Sequence, residues 1–143
     1  MHRPLLLPAL ALCAVLLAPS PVDAGGPSRS APSFSVRTLD GKPLRSNDLK
    51  GRPMVLDFWA TWCAPCRASM PHLDALQARY VDQGLVVIGF SVDEEGPQRV
   101  KAYAQRLGVR FTLAMADEKL LDLYGPIRQI PTMLGFGGQW APK

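Results

Sequence analysis

Cysteine is scarce in this sequence, with three residues in 143, at positions 13, 63 and 66. That is too few for a disulfide scaffold. Histidine is scarcer, with two, and only His72 lies beyond the N-terminal apolar segment. A tetrahedral zinc site wants four ligands. One cysteine pair and one histidine do not supply them. A c-type haem attachment needs His directly after the second Cys of the pair, and Arg67 stands there. There is no run of Lys and Arg, and the net charge is only +4. A nucleic-acid partner is therefore not expected, and the basic residues read as a scattered, solvated surface. No internal repeat appears. The apolar run from Leu5 to Ala18 is shorter than the roughly 20 residues of a membrane-spanning helix.

What the chain does have is concentrated in Trp59-Ala60-Thr61-Trp62-Cys63-Ala64-Pro65-Cys66-Arg67. Before it runs Met54-Val55-Leu56-Asp57-Phe58, an apolar stretch that reads as a buried strand. After it, Met70, Leu73, Leu76 and Tyr80 recur on one side of an amphipathic helix. Cys63 thus sits at a helix N-terminus, where unpaired N–H groups and the positive end of the helix dipole favour a thiolate. Cys66 is one turn on, within reach of a mixed disulfide formed by Cys63. This is the layout of a dithiol/disulfide exchanger. His72 reads as an exposed helix residue and Trp59 as core.

Taken in order, residues 1–24 have the pattern of a secretory signal peptide. His2 and Arg3 give a positive start, an apolar core follows, and Val22-Asp23-Ala24 offers modest side chains before a cleavage point. Left uncleaved, the segment would serve as an anchor. Residues 25–33 form a Pro/Gly/Ser-rich linker, and 34–143 a single folded domain. Phe34 to Leu39 alternates in period two before the turn signal Asp40-Gly41, predicting a hairpin. The pattern then predicts a strand from Val55 to Trp59 and a helix from Cys63 to Gln83, kinked at Pro71 and closed by Gly84. A buried parallel strand is expected over Leu85 to Val92, and a helix starting at Pro97 and ending at Gly108. A short strand at Phe111 to Leu113, a helix capped by Asp117 and a last strand entered through Pro131 complete the α/β pattern.

These residues resemble the thioredoxin superfamily, and more narrowly its exported TlpA/ResA-like thiol:disulfide oxidoreductases. The resemblance rests on Leu39-Asp40-Gly41, on Leu56 to Arg67, on Met70-Pro71, and on Tyr124-Gly125 with Ile130-Pro131-Thr132. It implies a thioredoxin-like three-layer α/β fold with an N-terminal hairpin extension, and a redox-active disulfide between Cys63 and Cys66. Cys63 would be the exposed attacking thiol and Cys66 the buried resolving thiol. Pro65 would stiffen the loop, and Trp62 would shield the site and offer an apolar surface to a partner. Pro131 would be the cis-proline facing the disulfide. Asp57, a carboxylate in an otherwise apolar strand, would accept the Cys66 proton. The resemblance implies no cofactor and no metal.

Two departures stand out. Relatives often carry Glu three residues after the second Cys, where this chain has Ser69. After Ile130-Pro131-Thr132 the family continues through one more strand and a helix, which the residues to Lys143 are too few to form. The expectation is a domain lacking both. The function implied is disulfide exchange with exported, disulfide-containing proteins, apocytochrome c among them, in the periplasm or on the outer face of the membrane. Electrons would come from a membrane thiol donor, and the protein would act as a reductant. The alternatives are a copper carrier using both thiolates, or a degenerate domain without turnover. A peroxidase of the peroxiredoxin kind wants Thr three and Pro seven residues before the reacting Cys. Ala60 and Leu56 occupy those places.

Overall fold

A computed structural model describes residues 30–137. The N-terminal apolar segment and the last six residues lie outside that range. Within it, strand β1 (Ser35–Arg37) and strand β2 (Pro43–Arg45) form an antiparallel hairpin. The Asp40-Gly41 turn closes it, with Gly41 at φ 81°, a conformation that glycine adopts without a Cβ penalty. A turn of 3-10 helix (Ser46–Leu49) leads into β3 (Met54–Trp59), followed by helix α1 (Ala64–Tyr80). Then come β4 (Val86–Ser91), α2 (Pro97–Arg106), β5 (Thr112–Met115), α3 (Glu118–Leu123) and β6 (Thr132–Phe136).

Strands β3 to β6 form one sheet in the order β5-β4-β3-β6, parallel except for β6, which runs antiparallel to β3. Among the described residues β6 pairs on one side only. The hairpin is tied to the opposite edge, where Leu39 N–H donates to the Leu113 carbonyl at 2.8 Å.

Alternation along β3 and β4 divides the interior into two layers. Leu56, Phe58, Ile88 and Phe90 point to the face covered by Phe34, Leu120 and Tyr124. Here the rings of Phe34, Phe58, Phe90 and Tyr124 lie 5.5–6.3 Å apart, and the Tyr124 hydroxyl donates to the Pro32 carbonyl at 3.0 Å. The linker's end is thereby latched to the domain. Trp59 and Val87 point the other way, under Met70 and Leu73 of α1 and Val100 and Ala104 of α2. By the same parity Asp57 lies on this second face, beneath the helix that carries the cysteines.

Gly89 is the strand residue paired with Asp57, and its missing side chain has a use. A Cβ there would lie 2.6 Å from Leu113 Cδ2, 3.1 Å from Phe111 Cε2 and 3.1 Å from Trp59 Nε1. The indole of Trp59 fills the space that the glycine leaves. Gly89→Ala is expected to destabilise the fold by about 1–3 kcal/mol through overpacking. The check is a lowered denaturant midpoint at unchanged slope.

Helix α1 ends three residues earlier than the pattern predicts. Tyr80 leaves helical geometry at φ −117°, ψ 7°, and a 3-10 turn (Val81–Gln83) carries the chain to Gly84 at φ 88°. The glycine closes the turn as expected, by N–H donation to the Val81 carbonyl at 2.9 Å. Among the described residues, no helix is long and apolar enough to cross a membrane.

Candidate active site

The site lies where β3 gives way to α1. Cys63 is the N-cap of α1, with extended backbone (φ −83°, ψ 103°), and its Sγ accepts from Cys66 N–H at 3.2 Å. That bond, together with the dipole of a 17-residue helix, stabilises negative charge on this sulfur once it is a thiolate. Pro65 falls in the first turn, where its lack of an N–H leaves no helix bond unmade. Cys63 N–H donates to the Ala60 carbonyl at 3.1 Å, folding the loop back on the strand end.

Cys63 and Cys66 are joined by a disulfide, with Cα atoms 5.3 Å apart. Cys66 is fully buried and Cys63 is 5% exposed. The expectation of an openly exposed first thiol is thus corrected for the oxidised state. The sulfur is turned inward into the bond with Cys66 and onto the helix N-terminus. Beside it, Trp62 is 68% exposed, a large apolar side chain standing in solvent at the entrance.

Pro131 reaches the same place from the other end of the chain. Thr132 pairs with Phe58, so the register sets Pro131 level with Trp59, at the strand end from which the cysteine loop departs. The Ile130–Pro131 peptide bond is cis.

Asp57 is fully buried, and neither carboxylate oxygen has a hydrogen-bond partner. Trp59 Nε1, on the same face, is also buried without a partner. Desolvation pushes the Asp57 carboxyl up to about 6, within the range in which a group both takes and gives a proton near neutrality. Ser69 Oγ donates to the Cys66 carbonyl at 2.9 Å. His72 is exposed on α1. Among the described residues no group of three or more His, Cys, Asp or Glu is placed to hold a metal ion.

One feature is not foreshadowed by any local pattern, a carboxylate grip on the loop itself. Asp93, beyond the end of β4, accepts from the backbone and side chain of Thr61. The two residues are 32 positions apart; Thr61 lies within the cysteine motif, but nothing in the spacing links it to Asp93.

Comparison with known proteins agrees with this geometry. The thiol-disulfide oxidoreductase ResA of Bacillus thuringiensis (strain Al Hakam) is 35% identical over 105 residues, 73% of this chain and 60% of that protein. The thioredoxin-like protein YneN of Bacillus subtilis (strain 168) is 35% identical over 105 residues, 73% of this chain and 61% of that one. This chain therefore spans about 60% of the length of the curated relatives it matches. The crystal structure of a thiol:disulfide interchange protein of the thioredoxin family from Chlorobium tepidum TLS superposes with a TM-score of 0.69 at 35% identity. It covers 78% of this chain and 80% of that one. The profile of the AhpC/TSA family matches residues 27–133. On that span, and with the thioredoxin-like sheet, helices and Cys63–Cys66 pair in place, the chain belongs to the thioredoxin-like AhpC/TSA family.

Proposed function

We propose that the protein is an exported thiol:disulfide oxidoreductase that reduces disulfides in partner proteins through Cys63 and Cys66. The observation that carries this reading is a disulfide closing the first turn of α1, with Cys63 Sγ held on the Cys66 N–H. In the reduced protein the Cys63 thiolate attacks a client disulfide. One Cys63–client S–S bond forms, and one client thiolate leaves. Cys66, its proton passed to Asp57, then attacks Cys63 Sγ and releases the second client thiolate. Two electrons pass to the client, and the Cys63–Cys66 disulfide is left. Trp62 and Pro131 flank the route by which a client chain would approach, and Pro65 stiffens the turn between the two sulfurs.

Export rests on the signal-peptide pattern of residues 1–24, followed by the linker 25–33 and the domain from 34 onward. The compartment inferred is the bacterial periplasm, or the outer face of the membrane if the segment stays as an anchor. The clients inferred are exported proteins with a cysteine pair, apocytochrome c among them, and a membrane thiol donor would restore the dithiol.

The test is a titration in redox buffers of graded potential, followed by tryptophan fluorescence. Trp59 is buried at the end of β3 and Trp62 is exposed in the loop beside Cys63, so their emission reports both packing and site. A single two-electron transition, with a midpoint low enough to reduce client disulfides, is expected. A midpoint as high as that of a strong dithiol oxidant would reverse the direction of flow. Emission of solvent-exposed tryptophan at every potential would sink the reading altogether.

A further inference from the structure

Asp93 is a buried carboxylate, 7% exposed, to which the exchange cycle gives no part. Its Oδ2 accepts from the Thr61 N–H at 2.9 Å and its Oδ1 from the Thr61 hydroxyl at 2.6 Å. Both oxygens therefore close on one residue. The Ser91 hydroxyl donates to Oδ2 at 2.6 Å, and Ser91 Oγ accepts from Asp93 N–H at 3.1 Å. The backbone repeats the tie on either side. Val92 N–H donates to the Trp59 carbonyl at 2.9 Å, and Ala116 N–H to the Ser91 carbonyl at 2.7 Å. The ends of β3, β4 and β5 are thus laced together around the loop that presents Cys63.

Thr61 stands two residues before Cys63, and Cys63 N–H turns back onto the Ala60 carbonyl. The loop is consequently fixed on both sides of Trp62, whose side chain projects into solvent. Charge-assisted hydrogen bonds with a short O–H donor are stronger and more directional than neutral ones. A two-point grip of this kind sets the orientation of a peptide plane as well as its place.

We infer that Asp93, acting through Thr61, is a positioning residue for the nucleophile: its carboxylate fixes the loop so that Cys63 Sγ sits on the N-terminus of α1. The inference rests on the reading of Cys63 as the attacking thiol and adds what holds it in attacking position. The charge on Cys63 is stabilised by the Cys66 N–H and the helix dipole only while the sulfur stays in line with them. That stabilisation falls off within the first turn of a helix, so a loosened loop loses it.

The test compares Thr61→Val with Thr61→Ser in the full chain. Valine keeps the shape of the side chain and removes the hydroxyl donor, whereas serine keeps the donor. Two readouts are taken on the reduced protein, the rate of Cys63 alkylation by iodoacetamide at neutral pH and the exchange equilibrium with glutathione. Thr61→Val should slow alkylation roughly threefold and move the equilibrium roughly threefold toward the Cys63–Cys66 disulfide, since the dithiol loses a stabilised thiolate. Thr61→Ser should restore both to the wild-type values. A Thr61→Val protein that melts lower but alkylates and equilibrates as wild type would reduce the grip to a structural tie and overturn the inference. Should valine not be accommodated, Thr61→Ala is read the same way. Alkylation needs no client. Failure of the functional reading would show elsewhere, as wild-type protein that exchanges no client disulfide.

Discussion

Replacing Cys63 by Ser should reduce exchange with a disulfide-bonded client to the uncatalysed level and trap no client, while Cys66→Ser should accumulate a covalent Cys63–client adduct. The contrast follows from position on α1. Cys63 is the N-cap, its sulfur on the Cys66 N–H and still 5% exposed, whereas Cys66 is wholly buried beneath the first turn. A fully buried thiol has no access to a client, and burial disfavours its charged form. It can attack only what is brought to it, namely Cys63 Sγ. In the reduced wild-type protein the same asymmetry should make Cys63 alkylate much faster than Cys66 at neutral pH. Non-reducing gels of each variant incubated with a disulfide-bonded client, alongside mass spectrometry of the partly alkylated protein, provide the check. Adduct accumulating in Cys63→Ser instead would exchange the two roles.

The order of elements was legible because the signals are local. An apolar run bounded by turn residues gives β3 and β4, Pro97 opens α2, and Asp117 caps α3 through a 2.8 Å bond from the Leu120 N–H. The Cys63/Cys66 spacing sits where strand meets helix for the same reason. The end of α1 was less legible. Apolar spacing continues through Tyr80 and Val81, but Gly84 pulls the last residues into a tighter turn. What stayed hidden was non-local. The Thr61–Asp93 grip, the Arg110–Asp74 pair that ties α1 to the approach to β5, and the Tyr124–Pro32 latch join residues 32 to 92 positions apart. No period or cap announces such pairs. Asp57 lies between these cases. Its neighbours made burial foreseeable, but the absence of any hydrogen-bond partner is a property of the packed interior.

Asp57→Asn should stabilise the protein at neutral pH while slowing release of the mixed disulfide. The carboxyl is fully buried, has no hydrogen-bond partner, and is raised from 3.8 to about 6 by desolvation. The folded state therefore holds this proton more tightly than the unfolded chain. Between pH 3.8 and about 6 the native protein keeps a proton that the unfolded one has released, so stability falls as pH rises through that window. Above it the buried charge costs about 3 kcal/mol, from roughly two pK units at 1.36 kcal/mol each. Asparagine carries no charge but still buries an unpaired amide, so a gain of about 1–3 kcal/mol is expected above pH 6, vanishing near pH 4. Denaturant unfolding of both proteins across pH 4–8 measures it. The kinetic effect has the opposite sign. With no acceptor for its proton, Cys66 should resolve the mixed disulfide more slowly, by on the order of 100-fold at pH 7. The deficit should shrink as the solution becomes alkaline enough to ionise the thiol unaided. Attack by Cys63 on the client should be unchanged, because that thiolate is supported by the helix N-terminus. A variant more stable at pH 7 and slow only in resolution would assign Asp57 its proton. Equal resolution rates with a pH-independent stability difference would make it a packing residue. A carboxylate that burdens the fold where a neutral side chain would not is intelligible if the reaction needs its proton affinity.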